Sequence, residues 1–135
     1  TVASTMGFPM VATRARPESD VIIDYGDVRV GFDRFEFEAM VRQGIEVTAV
    51  VGNDACWTQS RWGLVQLCGK DRAAPIHLDD PRYDKVIEAL AGHGEYVEYP
   101  GPLQEAFARV LVLARAALVS AKNSGSDLRK GAIFV

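Results

Sequence analysis

Two aspartates carry the most chemical promise, because each follows a short apolar run and a glycine one or two positions before it. The run Val21-Ile22-Ile23 leads to Gly26-Asp27, and the run VTAVV at 47–51 leads to Gly52-Asn53-Asp54. Short β-branched runs stopped by glycine read as buried strands. If the two strands are neighbours in a parallel sheet, both carboxylates emerge at one edge, where open sheets bind ligands. A hard cation such as Mg2+ wants oxygen donors, a few from protein and the rest from phosphate and water. Two carboxylates and a backbone carbonyl just beyond Asp54 could supply the protein share. Gly26 lets the backbone approach a phosphate closely, and a helix starting after Phe32 would turn its positive end toward it. The chemistry indicated is cation-assisted binding of a phosphorylated ligand. On these residues alone, carboxylates that only cap helices compete with that reading.

The elements that must hold these residues alternate between β and α. That alternation predicts an α/β fold, a parallel β-sheet with helices on both faces. Residues 10–16 could form a short helix stopped by Pro17. Phe32, Phe35, Met40 and Val41 interleave with charged residues as the core face of an amphipathic helix, with Asp33 as N-cap and Gly44 past its end. The stretch 55–80 reads as irregular, with a short helix near 62–67. Pro81 opens a helix through Tyr83, Val86, Ile87 and Leu90, ended by Gly92 and Gly94. Tyr96-Val97 is a short strand, and Pro102 opens a helix carrying Leu103, Phe107, Val110 and Leu111. The run 116–121 fits a last strand better than a continued helix, and 124–130 reads as loop.

The chain's 135 residues suit one domain. It has 15 Lys and Arg against 18 Asp and Glu, a net charge of −3. No basic stripe is present to neutralise a duplex backbone, so nucleic acid is not an expected partner. Any bound phosphate must then be held by backbone N–H groups or a metal. Cys56 and Cys68 form no disulfide framework, which fits a reducing cytoplasm. No apolar run has membrane-span length, and no leader opens the chain. The start at Thr1 rather than Met suggests a fragment or a processed product. Cys56 reads as a small packing residue, His77 and His93 as surface or loop residues, and Trp57 and Trp62 as contacts between domains or subunits.

The stretch 24–59, DYGDVRVGFDRFEFEAMVRQGIEVTAVVGNDACWTQ, resembles the signature of thiamine-diphosphate enzymes. That signature is Gly-Asp-Gly after a strand, a helical crossover, then an Asn-Asn or Asn-Asp pair after the next strand. The likeness is closer to the acetolactate-synthase-like branch that includes the 2-hydroxyacyl-CoA lyases. Its members carry similar GFxxxEFExMVRxGIxV and GNDACWTQ blocks, and the tail DLRKGAI at 127–133 is like that branch's ending.

The resemblance implies the C-terminal, diphosphate-binding domain of such an enzyme, with thiamine diphosphate and Mg2+ as cofactors. It implies Asp27 and Asp54 as Mg2+ ligands through their side chains, and Cys56 through its backbone oxygen. Gly26, Val28 and Arg29 would face the diphosphate with backbone N–H groups. Asn53 would hold the turn before Asp54, and Met6 would lie near the cofactor's pyrimidine ring. No catalytic residue falls on this chain, because the family's activating glutamate belongs to a separate pyrimidine-binding domain. The implied partners are that domain or subunit and further copies in a homo-oligomer. The implied chemistry is carboligation or cleavage next to a carbonyl, on 2-keto acids or 2-hydroxyacyl thioesters.

The chain departs from the pattern in two places. Val28 replaces the third glycine, and a branched side chain there could crowd the diphosphate or bar a positive φ. The segment 6–17 is shorter than its counterpart by about four residues, roughly one helical turn. These departures motivate an alternative, a catalytically inactive, cofactor-free structural or interaction domain derived from the family. A response-regulator-like domain also uses acidic strand ends, but the 24–59 block fits it badly.

Overall fold

The structure, a computed structural model, describes residues 6–123. Its strands are β1 (Ile22–Gly26), β2 (Thr48–Asn53), β3 (His93–Val97) and β4 (Ala117–Lys122). They form one parallel sheet in the order β1-β2-β4-β3. The helices are α1 (Gly7–Ala15), α2 (Asp27–Asp33), α3 (Glu36–Gln43), α4 (Thr58–Cys68), α5 (Tyr83–Ala89) and α6 (Leu103–Leu111), with a 3-10 helix at Lys70–Ile76.

Successive strand residues face opposite sides, and the central strands bury both. Ala49, Val51 and Leu118 pack with Val30, Phe37, Met40 and Ile87 from α2, α3 and α5. Ala117 and Val119 pack on the other side with Ala106 and Val110 of α6. Helices therefore cover both faces, as the alternation predicts. Two-sided burial is also why β2 and the run 116–121 read as continuous apolar stretches rather than alternating ones.

The crossover from β1 to β2 differs from its expected form. Gly26 is extended (φ −93°, ψ 167°) and acts as N-cap, so α2 begins at Asp27, directly at the strand end. Asp33 is not an N-cap: it is the buried last residue of α2, and a second helix, α3, starts at Glu36. Two short helices with separate axes do not share one apolar stripe. Phe32 and Phe35 are accordingly exposed (60% and 65%), while Phe37 and Met40 are fully buried. Gly44 does close α3, with φ 61° in the left-handed region that glycine adopts freely.

Other boundaries also move. The region after Asp54 is more helical than its sequence suggests, because α4 buries none of its side chains and so shows no periodic apolar signal. Helix α1 starts at Gly7, and β3 starts at His93, which puts Gly94 inside a strand rather than at a helix end. A Cβ at Gly94 would overlap the backbone of Asp84, so α5 packs on β3 at backbone distance. The loop reading of 124–130 and the tail block 127–133 lie outside the described residues.

Candidate functional site

Gly26 of β1 pairs with Gly52 of β2, so the two strands end level and Asp27 and Asp54 emerge side by side. The backbone N–H of Cys56 donates to Oδ2 of Asp27 at 3.3 Å and to Oδ1 of Asp54 at 3.1 Å. The Thr58 hydroxyl donates to Oδ2 of Asp54 at 2.5 Å. Asp27 is 3% exposed, and its Oδ1 is buried without a hydrogen-bond partner. A buried carboxylate oxygen with no donor is a costly feature in a fold.

The turn that carries Asp54 is braced from behind. Asn53 accepts the Ala55 N–H at 3.1 Å and donates to the Pro81 carbonyl at 3.0 Å, with the Ser120 hydroxyl 3.5 Å away. Ala55 itself adopts φ 52°. Beyond it, Trp57 donates to the Ile76 carbonyl and Leu78 to the Ala55 carbonyl, tying the loop to the far end of the 3-10 segment. Asn53 thus holds the turn, as expected, and its buried amide does not line the adjoining cavity.

Burial pushes the Asp27 carboxyl up to about 6, and the neighbouring Asp54 carboxylate adds to the rise. The N–H groups of Cys56, Asp54 and Ala55 act in the opposite sense. The Tyr83 hydroxyl donates to the Asp27 carbonyl at 3.2 Å and is pushed up to about 12 by burial, then by the charge of Asp27. A site that raises a carboxyl by burial and by a second carboxylate favours a cation between the two.

A cavity of about 460 Å³ opens at this edge. One wall is Gly26, Asp27, Val28 and Arg29; the other is Asp54, Cys56 and the start of α4. The first turns of α2 and α4 both border it, and neither has a side-chain N-cap. Their first-turn N–H groups have no partner within the helix and carry the positive ends of the helix dipoles. Val28 has no positive φ, so at that level valine is tolerated. Its side chain lines this cavity and an adjoining one of about 560 Å³ that also touches Phe32, Trp57 and Tyr83.

Met6 is placed elsewhere. It is 2% exposed in the core beneath β1, where the Tyr25 hydroxyl donates to its sulfur at 2.6 Å, and it does not line the cavity. Of the residues singled out in the sequence, the fold brings Gly26, Asp27, Val28, Arg29, Asp54 and Cys56 together at one cavity. It sets Asn53 behind them and Met6 below.

The donor set fits Mg2+ chemically. It offers oxygen donors, an orphaned carboxylate oxygen and open space for phosphate and water. No cluster of three His, Cys, Asp or Glu side chains occurs among the described residues, so nothing resembles a closed metal cage. Two carboxylates leave room for exogenous ligands, which is how Mg2+ is commonly held on phosphates.

The family described as "Thiamine pyrophosphate enzyme, C-terminal TPP binding domain" matches residues 1–121. The chain belongs to this family. It is 33% identical over 119 residues to a probable acetolactate synthase of Mycobacterium bovis, covering 88% of this chain and 22% of that protein. It is 32% identical over 135 residues to 2-hydroxyacyl-CoA lyase 2 of Caenorhabditis elegans, covering 96% of this chain and 21% of that protein. The thiamine diphosphate-dependent 4-hydroxybenzoylformate decarboxylase of Rhodococcus jostii RHA1 has the same fold, with a TM-score of 0.78 over 89% of this chain and 23% of its own, at 16% identity. The chain thus spans about a fifth of the length of these relatives.

Within this TPP-binding domain, sequence reasoning missed Thr58 and Tyr83. Thr58 was legible in principle, four residues after Asp54 at the start of a helix. Tyr83 was not, because its contact with Asp27 spans 56 positions. The expectation for His93 is also corrected: it lies half-buried in β3, with Nε2 3.2 Å from Glu95, whose other partner is Arg109. No helix among the described residues is long and apolar enough to cross a membrane.

Proposed function

We propose that this domain anchors thiamine diphosphate through a Mg2+ ion, as part of an acetolactate-synthase-like carboligase or lyase acting on 2-keto acids or 2-hydroxyacyl thioesters. The observation that carries the reading is the pair of buried Asp27 and half-buried Asp54, bridged by one Cys56 N–H beside an unpartnered Asp27 Oδ1. Asp27 and Asp54 hold the ion through side-chain oxygens and Cys56 through its carbonyl. The N–H groups of Gly26, Val28 and Arg29 orient the diphosphate oxygens, so anchoring needs no lysine cluster. When bound, the cofactor supplies a stabilised carbanion for making or breaking a bond next to a carbonyl. This chain's residues would fix its position.

The rest of the active centre comes from a pyrimidine-binding domain or subunit, in a homo-oligomer. That inference rests on relatives about five times longer than this chain. Free cysteines, Cys56 buried and Cys68 exposed, favour a cytoplasmic setting.

Calorimetric titration of thiamine diphosphate into the chain with Mg2+ present tests the reading. The expected result is Mg2+-dependent binding that Asp27→Ala and Asp54→Ala each abolish. Binding that ignores Mg2+, or survives both substitutions, rules the site out. The second reading, a cofactor-free structural domain, is favoured by the Val28 side chain in the cavity wall. It predicts no binding by the native chain and recovered binding in Val28→Gly.

A further inference from the structure

We propose that Thr58 is a positioning residue for the metal site, holding the Asp54 carboxylate in the one orientation that leaves an oxygen lone pair for the cation. The proposal rests on the reading above and adds to it a role for Thr58, to which the resemblance assigns none. It comes from how differently the two carboxylates are held. Asp27 has one oxygen on the Cys56 N–H and the other without a partner. Asp54 is held at both oxygens, Oδ1 by the Cys56 N–H and Oδ2 by the Thr58 hydroxyl. Two donors on opposite oxygens fix the carboxylate plane. A carboxylate oxygen has two acceptor positions, so a hydroxyl at one leaves the other for a metal.

Thr58 is itself well fixed. It is the first residue of α4, whose opening turn is set by Arg61 N–H donating to the Trp57 carbonyl at 2.9 Å. The residue before it is tied to Ile76 through its own N–H at 3.0 Å. A threonine in a helix has two main χ1 choices, and the bond to Asp54 Oδ2 holds the Thr58 hydroxyl in one of them. Thr58 also lines the cavity, so its hydroxyl acts at the ligand and not in the core. Outer-sphere partners of this kind typically set metal affinity by about 10–100-fold.

The test compares Thr58→Val, which keeps the shape and removes the hydroxyl, with Thr58→Ser, which keeps the hydroxyl. The readout is the Mg2+ concentration that half-saturates thiamine diphosphate binding, measured by calorimetry, together with cofactor affinity at saturating Mg2+ and the melting temperature. Thr58→Val is expected to raise the Mg2+ requirement about tenfold while cofactor affinity at saturating Mg2+ and melting stay close to the native values. Thr58→Ser is expected to restore the native requirement. An unchanged Mg2+ requirement in Thr58→Val, with the native chain behaving as proposed, overturns the role of Thr58 alone. A loss of melting temperature that accompanies equal weakening of both constants assigns Thr58 to structure and also overturns it. Absence of Mg2+-dependent binding in the native chain removes the functional reading, and this proposal falls with it.

Discussion

Asp27 holds an ionisable carboxyl almost fully buried, leaves one oxygen without a donor, and places a second carboxylate beside it. Its folded value near 6 lies above the ordinary 3.8. Between those values the folded chain binds more protons than the unfolded one, so stability falls as pH rises through the window. The effect is complete above the folded value and amounts to at most about 3 kcal/mol. Asp27→Asn is therefore expected to stabilise the ligand-free chain by about 1–2 kcal/mol at about pH 7, with the gain shrinking toward pH 4. On the proposed function, the same substitution is expected to remove Mg2+-dependent binding. Urea unfolding at both ends of the window checks this, and a variant destabilised equally at each pH contradicts it. Asp27 and Asp54 were legible because glycines and apolar runs mark where strands end, whereas Cys56 entered only through the family resemblance. The bracing of Asn53 on Pro81 and of Asp27 on Tyr83 was not, since those partners meet only through the packing of α5.

Among the elements, the crossover between β1 and β2 shows where a sequence pattern misleads. Phe32 and Phe35 fit a single amphipathic helix, but the helix breaks between α2 and α3, where Phe37 and Glu38 N–H bond three residues back, and Phe32 and Phe35 are exposed while Phe37 is buried. Phe37→Ala is expected to cost about 3–5 kcal/mol, and Phe32→Ala less than about 0.5 kcal/mol, read by denaturant unfolding. Comparable losses from both would restore the single-helix description. The strands β1, β2 and β4 were readable because two-sided burial demands continuous apolar residues. Helix α4 was only partly readable because it buries nothing within this chain. Its start, however, supplies one wall of the cavity, so the least legible helix is also one that shapes the site.

At the scale of the molecule, apolar surface is exposed beside the site. Phe32, Phe35, Trp57 and Trp62 are all more than a third exposed. Phe32 and Trp57 border the cavity adjoining the metal pair. Large exposed apolar groups such as Phe32 and Trp57 beside a site mark a surface meant to be covered. The chain alone is expected to self-associate with concentration in sedimentation velocity. Phe35→Glu is expected to weaken that association without lowering the melting temperature, because the side chain contributes little to the core. A monomer at all concentrations, in native and variant chains alike, leaves the covering to a different polypeptide. The fold class was legible from the alternation of strand and helix. The exposed apolar edge was not, because the sequence pattern placed Phe32 and Phe35 in the core and only the structure turns them outward.

The unpartnered oxygen of Asp27 has a consequence for the lifetime of the chain. A site that destabilises the empty fold and is relieved by its ligand makes the folded population a function of ligand supply. Proteases act on opened chains, so an empty domain is cleared faster than a loaded one. On the proposed function, abundance is expected to follow thiamine supply. Depriving cells of thiamine should shorten the half-life of the native chain in a pulse-chase, and Asp27→Asn should make turnover indifferent to thiamine.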